Sequence, residues 1–278
     1  MKQRFASEVG IGCLLAAAAL FGCADTGEIV DTKGAGFKNP YAWIGEAHNE
    51  GLGAVLNSLE SHRNEIRDAE ELFAIADLGI KQYFRDKYGV LPDQSMLQRG
   101  YDFALSQSRF DRLGKNATGI SPADSLIHSN LYSDAELSFL TRLRNLRCTA
   151  LASRAFDDSI DAISLNAFNQ LGERGAEKIL VQLSVARSSY HYWTAHGSRW
   201  FALLSQLGDK AFRKQAVALG DSVFDGYVDN VVETDYVSAG AALIPCAFAS
   251  IGWAPCVLGA AVGGSTVYAI WHFPYWPW

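Results

Sequence analysis

Six histidines are the side chains of this protein best suited to exchange protons near neutral pH, and their spacing decides which could act together. His48 falls on the apolar stripe Tyr41, Ile44, His48, Leu52, Val55 and Leu59, beside Asn49. Two readings are open there. The apolar setting favours a core histidine donating to a carbonyl; the sharper alternative is a general base facing a pocket, as in a hydrolase whose other catalytic groups the sequence does not identify. His191 and His196 are five residues apart, a rotation of about 140° on a helix of about 3.6 residues per turn, so they make no metal clamp. His62, His128 and His272 stand alone and read as exposed.

Asp157 and Asp161, one turn apart with Asp158 between them, could set two carboxylates side by side, but a solvated helix face explains them equally well. The run Ser188-Ser189-Tyr190-His191-Tyr192-Trp193 is dense in hydrogen-bonding aromatic residues. Tyr190 and Trp193 join His48 and Asn49 as the candidate lining of a pocket, although such rings more often fill a core with one polar edge wet. No P-loop, GxGxxG turn, GxSxG elbow or HExxH pair is present. The sequence therefore assigns no catalytic residue, no metal ligand set and no cofactor.

The elements that would carry these residues are helical throughout. Asn39-Pro40 supplies a cap and a first-turn proline ahead of the His48 stripe. A second helix is predicted over 68–88 with Leu72, Ile75, Gly79 and Tyr83 inward and Gly89 as its stop, and a third over 93–110. Residues 111–132 read as a loop broken by Gly114, Gly119 and Pro122. Ser133 and Glu136 form a capping box opening a helix that continues, bent or interrupted, to Leu171. Gly172 and Gly175 punctuate it. A helix over 176–207 repeats the inward spacing through Ile179, Leu183, Ala186, Tyr190, Trp193, Gly197, Trp200 and Leu204, and another covers 209–236. The fold class is all-α, a multi-helix bundle.

From Val237 to Trp271 the chain has no charged residue and no histidine. Pro245, Gly252 and Pro255 break this run, leaving 256–271 as its longest helix. Sixteen residues reach about 24 Å, short of a hydrocarbon core of roughly 30 Å, so a buried Gly/Ala-rich C-terminal hairpin is favoured over membrane insertion. Gly259 and Gly263 make a GxxxG spacing, which permits close helix approach in lipid or in a protein core alike. The run weakly resembles bacteriocin-like peptides. The last residues, 272–278, hold two prolines and read as an aromatic strap.

The N-terminal segment has its own chemistry. Lys2 and Arg4 precede a short apolar stretch from Val9 to Phe21, which ends in Leu20-Phe21-Gly22-Cys23. This resembles the lipobox of bacterial lipoproteins, with Phe21 bulkier than usual and Glu8 an unusual charge. The resemblance implies cleavage before Cys23, fatty acyl chains such as palmitate on that residue, and attachment to the membrane through them. Ala24, lacking the acid that retains lipoproteins at the inner membrane, implies the outer membrane. Residues 1–22 would then be a signal peptide, 23–38 a flexible tether and 39–278 the helical domain, including the apolar tail 237–271.

Without Lys2, Arg4 and Glu8, the 24 basic and 30 acidic residues of the whole chain become 22 and 29, a net of −7. That balance offers no footprint for nucleic acid. Of five cysteines, Cys148 reads as a small core residue and Cys246 with Cys256 as the disulfide candidate. In one straight helix the latter two would lie about 15 Å apart, so a bridge requires the chain to turn back between them.

Asn39-Pro40-Tyr41, Ile44-Gly45, His48-Asn49 and Leu52 are similar to the N-P-Y-x-x-[IV]-G-x-x-H-N-x-x-L opening of uncharacterised bacterial proteins, some of them lipoproteins, as are the 189–193 cluster and the Gly/Ala-rich tail. The resemblance brings no activity with it. The expectation is a lipid-anchored helical envelope protein that works by binding or assembly with a protein partner. The alternatives are a membrane-active protein acting through its tail and, behind it, a hydrolase using His48.

Overall fold

Helix ends in this protein are written in short polar signals. In a computed structural model, which describes residues 37–92, 94–95, 97–98, 101–102, 123, 127, 131–146, 153–207, 221–246 and 253–271, those signals act largely where the sequence puts them. The Asp68 carboxylate accepts from the Glu71 N–H at 2.9 Å and opens α2 (Ala69–Tyr88), which Gly89 closes in the left-handed conformation, φ 69°. It follows α1 (Ala42–Ser61). Ser133 and Glu136 complete a capping box ahead of α3 (Asp134–Asn145). Asn39 does not cap α1 directly. Its carboxamide oxygen accepts from the Tyr41 N–H at 2.9 Å, holding a tight turn one step before the helix, while its NH2 donates to the Leu180 carbonyl at 2.7 Å. The acylation candidate Cys23, the signal segment 1–22 and most of the tether lie outside the described residues, as do Cys148, His128 and His272.

α4 (Ser153–Leu207) is two antiparallel arms. Gly172, at φ 70° and ψ 172°, reverses the chain between residues 153–171 and 173–207. In an unbroken helix Phe156 and Tyr190 would be about 50 Å apart; here their ring centroids are 4.6 Å apart. Gly175 does not interrupt the second arm, which therefore starts nearer the turn than the sequence predicts. Asp157 and Asp161 bind the arms together at the surface: Arg187 lies 2.6 Å from Asp161, and His191 2.9 Å from Asp157. They form a solvated ion-pair cluster and not an acid–base pair.

α5 (Asp221–Cys246) and α6 (Trp253–Trp271) form another hairpin, in which Tyr227 donates to the Ala269 carbonyl at 2.8 Å. The predicted helix end at residue 236 is overturned, because α5 runs on into the uncharged segment. Pro255 likewise does not delay α6. It falls in the first turn, where its missing N–H has no intrahelical partner to lose. Every residue from Cys256 to Ile270 is buried, as expected of a helix apolar on all sides. Among the described residues no helix is long and apolar enough to cross a membrane. The predicted loop over 111–132 gives way at Ala123 and Ile127, both helical; the buried Glu233 carboxylate accepts from the Ala123 N–H at 2.9 Å. Cys256 is disulfide-bonded, and the side chain of Cys246 lies outside the described residues.

The described residues are helical with no strand among them, an all-α bundle. One close seam joins α1 to the second arm of α4. Gly45 N–H donates to Ser184 Oγ at 3.0 Å, and Asn49 Nδ2 to the Ser188 carbonyl at 2.7 Å. Both contacts advance by four residues on each helix, so the two run parallel. A methyl at Gly45 would sit 2.3 Å from the Ser184 carbonyl oxygen, whereas at Gly53 it would meet nothing within 4 Å. Gly45→Ala is therefore expected to cost about 1–3 kcal/mol by overpacking, and Gly53→Ala to gain up to about 1 kcal/mol from helix propensity, both read from urea denaturation midpoints.

Candidate functional site

The polar side chains of α1, α4, α5 and α6 converge at one buried point. Asp235, on α5, is fully buried. Its Oδ2 accepts from Ser189 Oγ and, at 3.3 Å, from the indole N–H of Trp193, both on α4. Its Oδ1 is hydrogen-bonded to Ser265 Oγ on α6. Ser265 in turn lies 2.9 Å from His48 Nε2 on α1, and His48 Nε2 is 3.7 Å from Asp235 Oδ2. The other ring nitrogen, Nδ1, faces Asn49 Oδ1 at 3.3 Å. His48, Ser189 and Ser265 have no exposed surface.

Local sequence explains how each group arrives. His48 and Asn49 are consecutive on α1, so one turns inward and the other sideways to α4. Ser189 and Trp193 are four apart on α4 and share a face. Ser265 follows Gly263 and Gly264, at the narrowest part of α6. A methyl at Gly263 would come 2.9 Å from the Tyr101 ring, while Gly259 has ordinary van der Waals space. Of the GxxxG pair, Gly263 is thus the one that lets α6 lie close against the bundle.

Electrostatics follow from burial. Desolvation pushes the Asp235 carboxyl up to about 7, against the pull of hydrogen bonds from Ser189, Ser265 and Trp193. It pushes the His48 imidazole down to about 4, with the Asn49 hydrogen bond opposing. Both neutral forms are favoured. No lysine or arginine among the described residues pairs with Asp235.

Of the four residues read as a pocket lining, the structure brings together His48, Asn49 and Trp193. Tyr190 lies elsewhere, its ring against Phe156 and His191. The site is a sealed network and not a concavity; a cavity of about 270 Å³ between α2 and α6 is walled by other residues, Phe73, Ala76, Tyr101 and Val267 among them. His48 is a core histidine, with Nε2 on the Ser265 hydroxyl and Nδ1 facing the carboxamide carbonyl oxygen of Asn49. His62 caps the end of α1, 2.8 Å from the Ser58 carbonyl, and the His196 ring packs at a tilt against Tyr192. Among the described residues no group of three or more His, Cys, Asp or Glu is placed to hold a metal.

Sequence reasoning missed Asp235, Ser189 and Ser265. One signal was available: Asp235 is the last charged residue before the uncharged run, so it stands where α5 passes into a stretch with no charge left to hold it at the surface.

The order of groups matters chemically. In a Ser-His-Asp triad the imidazole stands between the hydroxyl and the carboxylate; here the hydroxyl stands between imidazole and carboxyl, so His48 is not oriented by Asp235 to activate Ser265. What the arrangement does is tie four helices at one point. Ser265→Ala would leave His48 Nε2 and Asp235 Oδ1 buried without partners, an expected loss on the order of 3 kcal/mol in urea denaturation. Trp193→Phe, which removes one long hydrogen bond and part of a fully buried ring system, should cost about 2–3 kcal/mol by the same measurement. No protein-family model matches the chain, and the comparisons with curated proteins and with solved structures find no match.

Proposed function

We propose that this chain is a lipid-anchored helical protein of the bacterial cell envelope, held at the outer membrane by acyl chains on Cys23 and working there by binding or assembly. The chain has two elements able to meet a membrane, the segment ending in Cys23 and the apolar run 237–271. The observation that carries the reading is the bond from Ser265 to His48 and Asp235. It commits the middle of α6 to the interior, and the described residues of the run spend their apolar surface in the core. The lipobox-like segment ending in Cys23 is the element this reading assigns to membrane attachment. Two acyl chains suffice for stable anchoring, since each buried CH2 contributes roughly 0.8 kcal/mol.

The same bond weighs against a tail that inserts on release, because α6 would have to abandon a buried carboxyl and imidazole. Against a hydrolase stands the middle position of the Ser265 hydroxyl in a site without exposed surface. Replacement of Cys23 by Ala is expected to move the protein from the membrane to the soluble periplasmic fraction, with mass spectrometry of the wild type showing acylated Cys23 at the mature N-terminus. Retention of the variant in membranes, with an unmodified thiol in the wild type, would sink the proposal.

A further inference from the structure

Asn49 decides which nitrogen of His48 carries hydrogen. Its NH2 is committed to the Ser188 carbonyl at 2.7 Å, so the atom 3.3 Å from His48 Nδ1 is its carbonyl oxygen. An acceptor there requires Nδ1–H. In the neutral ring Nε2 is then an acceptor, and the hydrogen it takes at 2.9 Å is that of the Ser265 hydroxyl. Ser265 has one hydrogen only. Its contact with Asp235 Oδ1 must therefore use a hydrogen borne by Asp235, while Oδ2 remains free to accept from Ser189 and Trp193.

Counting protons over the set leaves one workable occupancy. With none, a carboxylate and an imidazole both turn lone pairs on Ser265, whose single hydrogen satisfies one and leaves the other bare in a site without water access. With two, an imidazolium and a carboxylic acid both donate to Ser265, whose own hydrogen loses its acceptor, and an unpaired cation is buried. With one, every contact has a donor and an acceptor. We propose that His48, Ser265 and Asp235 form a buried site for a single proton, and that this proton closes the hydrogen-bond chain clamping α6 to α1 and α5.

The proton rests on Asp235. Moving it to His48 would shift the Asp235 hydrogen to Ser265 and the Ser265 hydrogen to Nε2, creating an ion pair in a fully buried site, and desolvation opposes both charges. The other groups facing the site do not alter the count. From α4 they are Ser189, Trp193 and the Tyr192 phenol, and from α5 itself Tyr227, both phenols raised by burial. Tyr268 lies on α6, and Glu233, next on α5, is engaged with the Ala123 N–H.

The sign of the linkage follows. Asp235, raised from 3.8 to about 7, contributes stability that is full below 3.8 and lost as pH rises through 7. His48, lowered from 6.5 to about 4, contributes stability present above 6.5 and lost as pH falls through 4. Between about pH 4 and 6.5 the two slopes cancel, so the clamp is insensitive to acid over that window while either member alone would not be.

The test compares melting temperatures of the full chain, wild type, Asp235→Asn and His48→Gln, from pH 4 to 6.5. Asp235→Asn keeps one donor and one acceptor in place; relative to wild type its melting temperature should climb as pH rises. Relative to wild type, that of His48→Gln should fall over the same range. Difference profiles that are flat for both variants overturn the proposal. Infrared spectra of the wild type at pH 6 provide a readout that needs no folded variant. The C=O stretch of a protonated buried carboxylic acid is expected, and the tautomer-sensitive 15N shifts of His48 should report neutral Nδ1–H. A His48 imidazolium signal overturns the assignment even if neither variant folds.

Discussion

A carboxyl group that cannot reach water must be satisfied by the protein, and in this molecule four helices meet that demand together. Asp235 is fully buried, and its two oxygens engage Ser189 and Trp193 from α4 and Ser265 from α6, with His48 of α1 beyond the serine. Hydrophobic burial draws α6 into the bundle but is indifferent to its rotation and register. The hydrogen-bond set is not. A rotation of α6 by one residue, about 100°, would turn Ser265 away and present Gly264 or Thr266 to the same acid.

The network also gives meaning to the small residues around it. Gly45 allows α1 to lie against α4 with Ser184 Oγ donating to the Tyr41 carbonyl at 2.8 Å. That approach puts Asn49 within reach of the Ser188 carbonyl, and Asn49 in turn orients the His48 ring. Gly263 plays the corresponding part on α6 against Tyr101. The Asn39-Pro40-Tyr41, Gly45 and His48-Asn49 spacing is thus one seam: a turn tied to Leu180, a close approach, then a histidine delivered to the core.

The reach of sequence reasoning differs between levels. The inward stripes of α1, α2 and α4 lie where periodicity puts them, because apolar spacing and the burial it demands are the same fact seen twice. The capping box at Ser133 and the stop at Gly89 are legible for a similar reason, since each is complete within four residues. Errors gather where distant segments intervene. The continuation of α5 past residue 236, the first-turn place of Pro255 and the helical backbone at Ala123 all depend on contacts across the bundle. Tyr190 shows the same limit, because its position next to Trp193 in sequence says little about which neighbour each ring meets.

What the sequence determined alone is local: a helical bundle, its capped ends, an apolar final hairpin and an uncommon histidine on an apolar stripe. These rest on periods of three to four residues and on side chains that bond to their own backbone. What only the tertiary structure decided is the company that histidine keeps. His48, Ser189, Asp235 and Ser265 are scattered over more than two hundred residues, and no spacing rule joins them. They meet because a buried polar atom without a partner costs more than the ordering needed to supply one, and that cost is computed only when the helices are packed.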